Sequence, residues 1–119
     1  MPNFKVIVAG GREFMNYEFV REKLQFFLQN KLPNVTIISG GATGADALGE
    51  QFAKENNLEL VVVPADWEKY GRAAGPRRNA EMAEMADALI AFWDGKSRGT
   101  KNMIETAEKK GLLVRVVNY

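Results

Sequence analysis

Residues 35–53 read VTIISGGATGADALGEQFA, and the change of character along this stretch decides the fold. The run VTIISG at 35–40 is short, rich in β-branched residues and apolar on both faces, the pattern of a strand covered on both sides in a parallel sheet. Gly40, Gly41 and Gly44 follow with no bulky side chain among them. Then Ala47, Leu48, Phe52 and Ala53 recur at helical spacing, one apolar stripe of an amphipathic helix. The junction has two readings. One is a tight turn. The other is a cradle in which glycine backbone and the positive end of the following helix receive a phosphate. Thr43 as helix cap with Asp46 at the third helical position would be a capping box, Asp replacing the usual Glu. That cap leaves Gly40 and Gly41 together without a reason, which favours a phosphate or sugar-phosphate. A carboxylate beside a phosphate is awkward, so Asp46 is assigned to a sugar hydroxyl or to the cap.

Outward from this unit, apolar runs recur at 4–10, 58–64, 87–93 and 112–118. Helical segments lie between them at about 16–30, 43–56, 76–86 and 99–110. In the first, Phe19, Val20, Leu24, Phe27 and Leu28 form one stripe. Strict alternation of strand and helix predicts a single α/β domain over 1–119, a five-stranded parallel sheet sandwiched between helices. With strand order 3-2-1-4-5, ligands bind beyond the carboxyl ends of the strands, where the order reverses.

Composition removes whole classes of chemistry. The chain of 119 residues contains neither cysteine nor histidine. Thiolate nucleophiles, histidine-based triads and most transition-metal sites are therefore excluded. Sixteen basic and fifteen acidic residues leave a net charge of +1, which gives no general pull toward nucleic acid or anionic membrane. No apolar run approaches the roughly 20 residues that span a bilayer, and the N-terminus lacks the pattern of a signal peptide. A soluble cytoplasmic protein is expected.

The loops at the two edges of the sheet differ. After strand 1 comes Gly10-Gly11-Arg12, after strand 2 the glycine stretch, and after strand 4 Asp94-Gly95-Lys96-Ser97-Arg98-Gly99-Thr100. The opposite edge carries ordinary helix-ending residues. Gly95-Lys96-Ser97 imitates the end of a P-loop, but the glycine required five residues earlier is Ile90. What survives is a second small-residue loop, with Ser97 and Thr100 as donors to phosphate, or else a plain loop with Thr100 as cap. The connection PADWEKYGRAAGPRRN at 64–79 is long for its class and is placed to cross the crevice as a lid. In it Trp67 and Tyr70 are candidates for stacking on a base, or for packing the loop down, and Arg72, Arg77 and Arg78 for phosphate. On a helix starting near Pro76, Arg78 shares a face with Met82 and Met85, expected against the sheet, so it points inward and needs an anion. Asn79 is the weaker neighbour.

Taken together, VIVAGGREF, ISGGATGADALGEQFA and PADWEKYGRAAGPRRNAEMAEMADALIAFWDGKSRGT resemble the SLOG superfamily of Rossmann-like domains, in its YspA/YpsA-related branch. The resemblance covers most of the chain in family order. It implies binding of nucleotides or nucleotide-derived ligands, in some members as a sensor, and some relatives are described as GTP-binding domains. The chain is also similar to the LOG phosphoribohydrolases, where an arginine precedes a PGGxGTxxE motif whose glutamate supports N-glycosidic cleavage. Arg78 is similar to that arginine, and DGKSRGTKNM sits where the glycine motif would. The first Gly-Gly is not preserved, however, and the glutamate position is Met103, preceded by Asn102, which argues against the LOG reaction.

The expected function is therefore a nucleotide-binding module, with phosphate on the glycine loops and Arg78 and the base under Trp67 or Tyr70. Mg²⁺ would enter only with ligand phosphates, and no other cofactor is expected. The alternative is a nucleotide hydrolase of N-glycosidase type using Asp46, Glu13, Asp94 or Glu81. A third reading is an interaction module, Phe26 lying off the apolar stripe. A homo-oligomer, in the manner of LOG-related dimers, is also expected; nucleic acid and membrane are not expected as partners.

Overall fold

A computed structural model describes residues 2–119. Five strands, β1 (Phe4–Gly10), β2 (Val35–Ser39), β3 (Glu59–Val62), β4 (Ala88–Trp93) and β5 (Leu113–Asn118), form one sheet in the order β3-β2-β1-β4-β5. All four pairings are parallel, as the doubly apolar runs predict. The helices between them are α1 (Tyr17–Leu28), α2 (Ala45–Glu55), the single turn α3 (Trp67–Tyr70), α4 (Ala74–Met85) and α5 (Arg98–Lys109). The Asn16 side chain accepts from the Phe19 N–H at 3.1 Å and starts α1, the usual work of an asparagine cap.

Alternation along each strand divides the interior in two. Val6, Val8, Ile37, Ile90 and Phe92 pack with Val20, Leu24 and Leu28 of α1 and Leu48 and Phe52 of α2. Ile7, Ala9, Ile38, Leu89 and Ala91 pack with Met82 and Ala83 of α4 and Met103, Ile104 and Ala107 of α5. Burying each large aliphatic side chain contributes about 1.5–3 kcal/mol, so the two layers clamp β1 and β4 from both sides. Strand order reverses about this pair, and the crevice above it is where the special loops meet.

Two expectations for the third connection are corrected. It is not an open loop, because α3 and a tight 3-10 turn at Gly71–Ala73 run straight into α4, which begins at Ala74 and not Pro76. Met82 is buried on the sheet as expected, but Met85 is 38% exposed. Met85 is the last helical residue, and the chain turns extended at Ala86, so it falls beyond the sheet-facing stripe. Phe26 is 63% exposed.

Gly49 sets how closely α2 lies on β1: a Cβ there would stand 2.7 Å from Val8 Cβ. Gly49→Ala is expected to lower stability by about 1–3 kcal/mol through overpacking, more than the roughly 1 kcal/mol that alanine returns in helix propensity. Gly99→Ala is the control, since the added Cβ meets nothing within 4 Å and should cost nothing. Urea denaturation midpoints of the two variants check this.

Candidate functional site

Beyond the ends of β1 and β4 the loops enclose a cavity of about 440 Å³. Its wall includes Ala9 and Gly10 from β1, Arg12, Ala42 and Asp46, then Arg72 and the first turns of α4 and α5. Four arginines (Arg12, Arg72, Arg78 and Arg98) line it against one acidic side chain, Asp46. A cleft of one predominant sign attracts and holds the opposite charge.

Arg78 is the organising residue. Its Nη1 donates to the Gly40 carbonyl at 2.6 Å and its Nε to Asn79 Oδ1 at 3.0 Å. A guanidinium carries five N–H groups, so the rest remain for the cavity. Burial draws its pKa down, while Asp46 opposes this and Arg12 adds to it. Among the described residues Arg78 forms no ion pair within 4 Å. Asn79 is buried, and its Nδ2 donates to Asn102 Oδ1 at 2.9 Å, tying the first turn of α4 to α5.

The start of α5 is left uncapped. Its cap Ser97 makes no side-chain capping bond, and among the described residues the N–H groups of Arg98, Gly99 and Thr100 find no acceptor. Unpaired first-turn N–H groups and the helix dipole favour an anion. Ser97 and Thr100 bring their hydroxyls to 3.2 Å of one another. The preceding loop is fixed by Asp94, whose Oδ1 accepts from the N–H groups of Lys96 and Ser97, each at 2.8 Å. Those two bonds hold its carboxyl below the usual range.

The glycines after β2 do a different job from the one expected of them. Gly40, Gly41 and Gly44 lie off the cavity wall. A Cβ at Gly40 would stand 2.4 Å from Arg78 Nη1, and one at Gly44 would stand 2.1 Å from the Gly11 carbonyl. Gly40 thus seats the arginine, and Gly44, at φ +78°, lets two loops touch backbone to backbone. Gly41 also adopts a positive φ, with Val62 beside it. Thr43 caps nothing. Its hydroxyl donates to the Arg12 carbonyl at 3.1 Å, and the cap position belongs to Gly44. The capping box fails because the Ala45 N–H goes to the Gly11 carbonyl at 3.1 Å. Asp46 turns back instead to accept from the Ala42 N–H at 3.3 Å. The protein itself thus takes up the Ala45 N–H at the start of α2, while among the described residues the Asp46 and Ala47 N–H groups find no acceptor.

The other expected site residues separate by place. Gly10, Arg12, Asp46, Arg78 and Asn79 line the cavity together with Ser97, Gly99 and Thr100. Gly11 and Asp94 line an adjoining one, and Gly95 lines neither. Trp67 and Tyr70 also stand off both walls. The Arg12 guanidinium lies 5.8 Å from the Trp67 ring centre, and that of Arg77 lies 4.0 Å from Tyr70. Cation–π contacts thus hold one face of each ring. Arg98 and Asn102 were missed as site residues. Their signal was present, since both lie in the first turns of the helix that opens after Ser97. Among the described residues no group of three or more Asp or Glu could hold a metal ion, and no helix is long and apolar enough to cross a membrane.

Asp46 is 5% exposed, and burial pushes its carboxyl up to about 6 against an ordinary 3.8, although the Ala42 N–H and Arg78 pull it down. A raised folded-state value means that the fold favours the protonated form. The contribution is fullest below about pH 4 and is lost as pH rises to about 6. Asp46→Asn, neutral throughout, should flatten that decline, gaining about 2–3 kcal/mol on the native protein between pH 4 and pH 7. Chemical denaturation across that range measures it.

Comparison with known proteins bears on the family and the fold. Residues 4–70 match the YAcAr family, described as the YspA, cpYpsA-related SLOG family. The Gene 61 protein of Mycobacterium phage D29 is 33% identical over 121 residues, covering 97% of this chain and 95% of that protein. Among solved structures, DNA processing protein A (DprA) from Streptococcus pneumoniae superposes with a TM-score of 0.73 at 20% identity over 97% of this chain. The chain spans only 50% of DprA's length. TM1055, a structural genomics target, gives a TM-score of 0.68 at 22% identity, covering 93% of this chain and 72% of that one. These two share the Rossmann-like fold. By its matched residues and its phage relative, the chain belongs to the YspA, cpYpsA-related SLOG family.

Proposed function

We propose that the protein binds a nucleotide or nucleotide-derived ligand, with its phosphate at the start of α5. One observation carries this reading: the unpaired N–H groups of Arg98, Gly99 and Thr100 and the guanidinium of Arg78 converge on one cavity of about 440 Å³. That volume is in the range of small-molecule sites. Family membership and the Rossmann-like neighbours support a nucleotide-related ligand. Asp46, the carboxylate in a wall of arginines, suits a sugar hydroxyl better than a phosphate. A net charge of +1 gives little attraction to a long nucleic-acid backbone, so the ligand is a small one.

A second reading, nucleotide hydrolysis, rests on Asp46 alone: a buried carboxyl titrating near 6 inside the cavity has the properties of a general acid. It requires release of base or phosphate, detectable by chromatography and lost in Asp46→Asn.

Thermal-shift titration with nucleoside mono-, di- and triphosphates, cyclic dinucleotides and ADP-ribose tests binding. Ligand at a hundredfold its Kd adds about 2.7 kcal/mol of stability. Arg78→Ala is expected to abolish the shift. Gly99→Leu should block the cavity yet stay folded, because nothing lies within 4 Å of its Cβ position. A well-folded protein that no member of the panel stabilises would overturn the proposal.

A further inference from the structure

Beside the arginine-lined cavity lies a second, of about 580 Å³, formed by the segment Gly11–Asn16 with Asp94, Ser97 and Tyr119. The two adjoin, since Arg12 and Ser97 belong to both walls. Their chemistry is opposite. The first holds four arginines and one carboxylate; the second holds Arg12 with two carboxylates, Glu13 and Asp94.

The second cavity also has an aromatic floor. The Tyr119 and Phe14 rings lie 4.2 Å apart between centres at 35°, and Phe14 stacks on Phe92 at 5.8 Å. Gly11 is the seat of this floor: a Cβ there would stand 2.0 Å from the Tyr119 hydroxyl. Tyr119 remains 48% exposed, which leaves ring surface free for contact. Both carboxylates face it, and after burial they are what raises its pKa, Asp94 more than Glu13. Asp94 spends Oδ1 on the Lys96 and Ser97 N–H groups, and among the described residues its Oδ2 has no partner.

We propose that this second cavity is the base subsite of the same ligand, and that it takes a nucleobase bearing an exocyclic amino group. This rests on the phosphate lying in the first cavity, as proposed above. The ring stacks on Tyr119, its amino group donates to Asp94 Oδ2 and Glu13, and the ribose crosses at Arg12 and Ser97. A second phosphate is disfavoured there, because it would meet two carboxylates. An amino group is the complement they require, since ionised carboxylates only accept hydrogen bonds. A site built to pair a donor discriminates strongly against a base that lacks it.

Calorimetric titration of AMP, GMP and CMP against IMP and UMP, with ribose 5-phosphate as the baseless probe, tests this. The tightest of the five nucleotides is expected to carry an amino group and to bind at least tenfold better than its counterpart without that group, IMP for AMP and GMP, and UMP for CMP. Asp94→Asn keeps the Oδ1 turn but replaces the free acceptor with a donor. It should bring that ratio toward one, as should Glu13→Gln in part, and Glu13→Gln, which leaves the loop before α5 untouched, should not alter ribose 5-phosphate affinity. IMP or UMP binding as tightly as the amino-bearing bases, or a margin that survives both substitutions, would overturn the base subsite and leave the phosphate site standing. If ribose 5-phosphate and all five nucleotides fail to bind, both proposals fall.

Discussion

The bond from Arg78 to the Gly40 carbonyl is the constraint on which the crevice depends. It joins the first turn of α4 to the end of β2, and it exists because Gly40 has no side chain in its path. A half-buried guanidinium on a neutral carbonyl is only partly compensated, and an uncompensated buried charge is costly. The fold carries that cost at the point where strand order reverses. Strain or unpaired charge retained at such a place is the usual mark of a site that a ligand completes.

Around that bond each loop takes a separate task. The loops after β1 and β2 lock to each other through Gly44, the Ala45 N–H and the Thr43 hydroxyl. Asp94 freezes the loop after β4 so that Ser97 presents an uncapped helix. Asn79 holds α4 and α5 together at the cavity edge. Much of the cavity wall is therefore fixed by bonds within the protein, and a preorganised site lowers the ordering cost of any binding proposed there.

The architecture was legible in the sequence because parallel strands buried on both faces announce themselves as short apolar runs. The five strands and four main helices fall within about two residues of their expected places, and the strand order is the expected 3-2-1-4-5. Although Met85, read as part of the same face, is exposed, the side of α4 that Arg78 occupies was legible through its register with Met82. The work of the glycines was not. Gly44 is needed for Gly11, 33 positions earlier in the chain, and Gly40 for Arg78, 38 positions later. Local spacing holds no record of such contacts. A strand–glycine–helix junction looks the same whether it cradles a phosphate or another loop. Trp67 illustrates the same limit, because Arg12 becomes its neighbour only through the tertiary fold.

Two helix starts thus border one crevice: among the described residues the N–H groups of Arg98, Gly99 and Thr100 at α5 are all unpaired, whereas at α2 the Ala45 N–H is taken by the Gly11 carbonyl. An amide-resolved NMR titration with ribose 5-phosphate separates them directly. Large shifts at the amides of Arg98, Gly99 and Thr100, with Gly41 and Gly44 nearly unmoved, are the expected result. Shifts centred on Gly41 and Gly44, or none at either loop at millimolar probe, would contradict the placement of the anion.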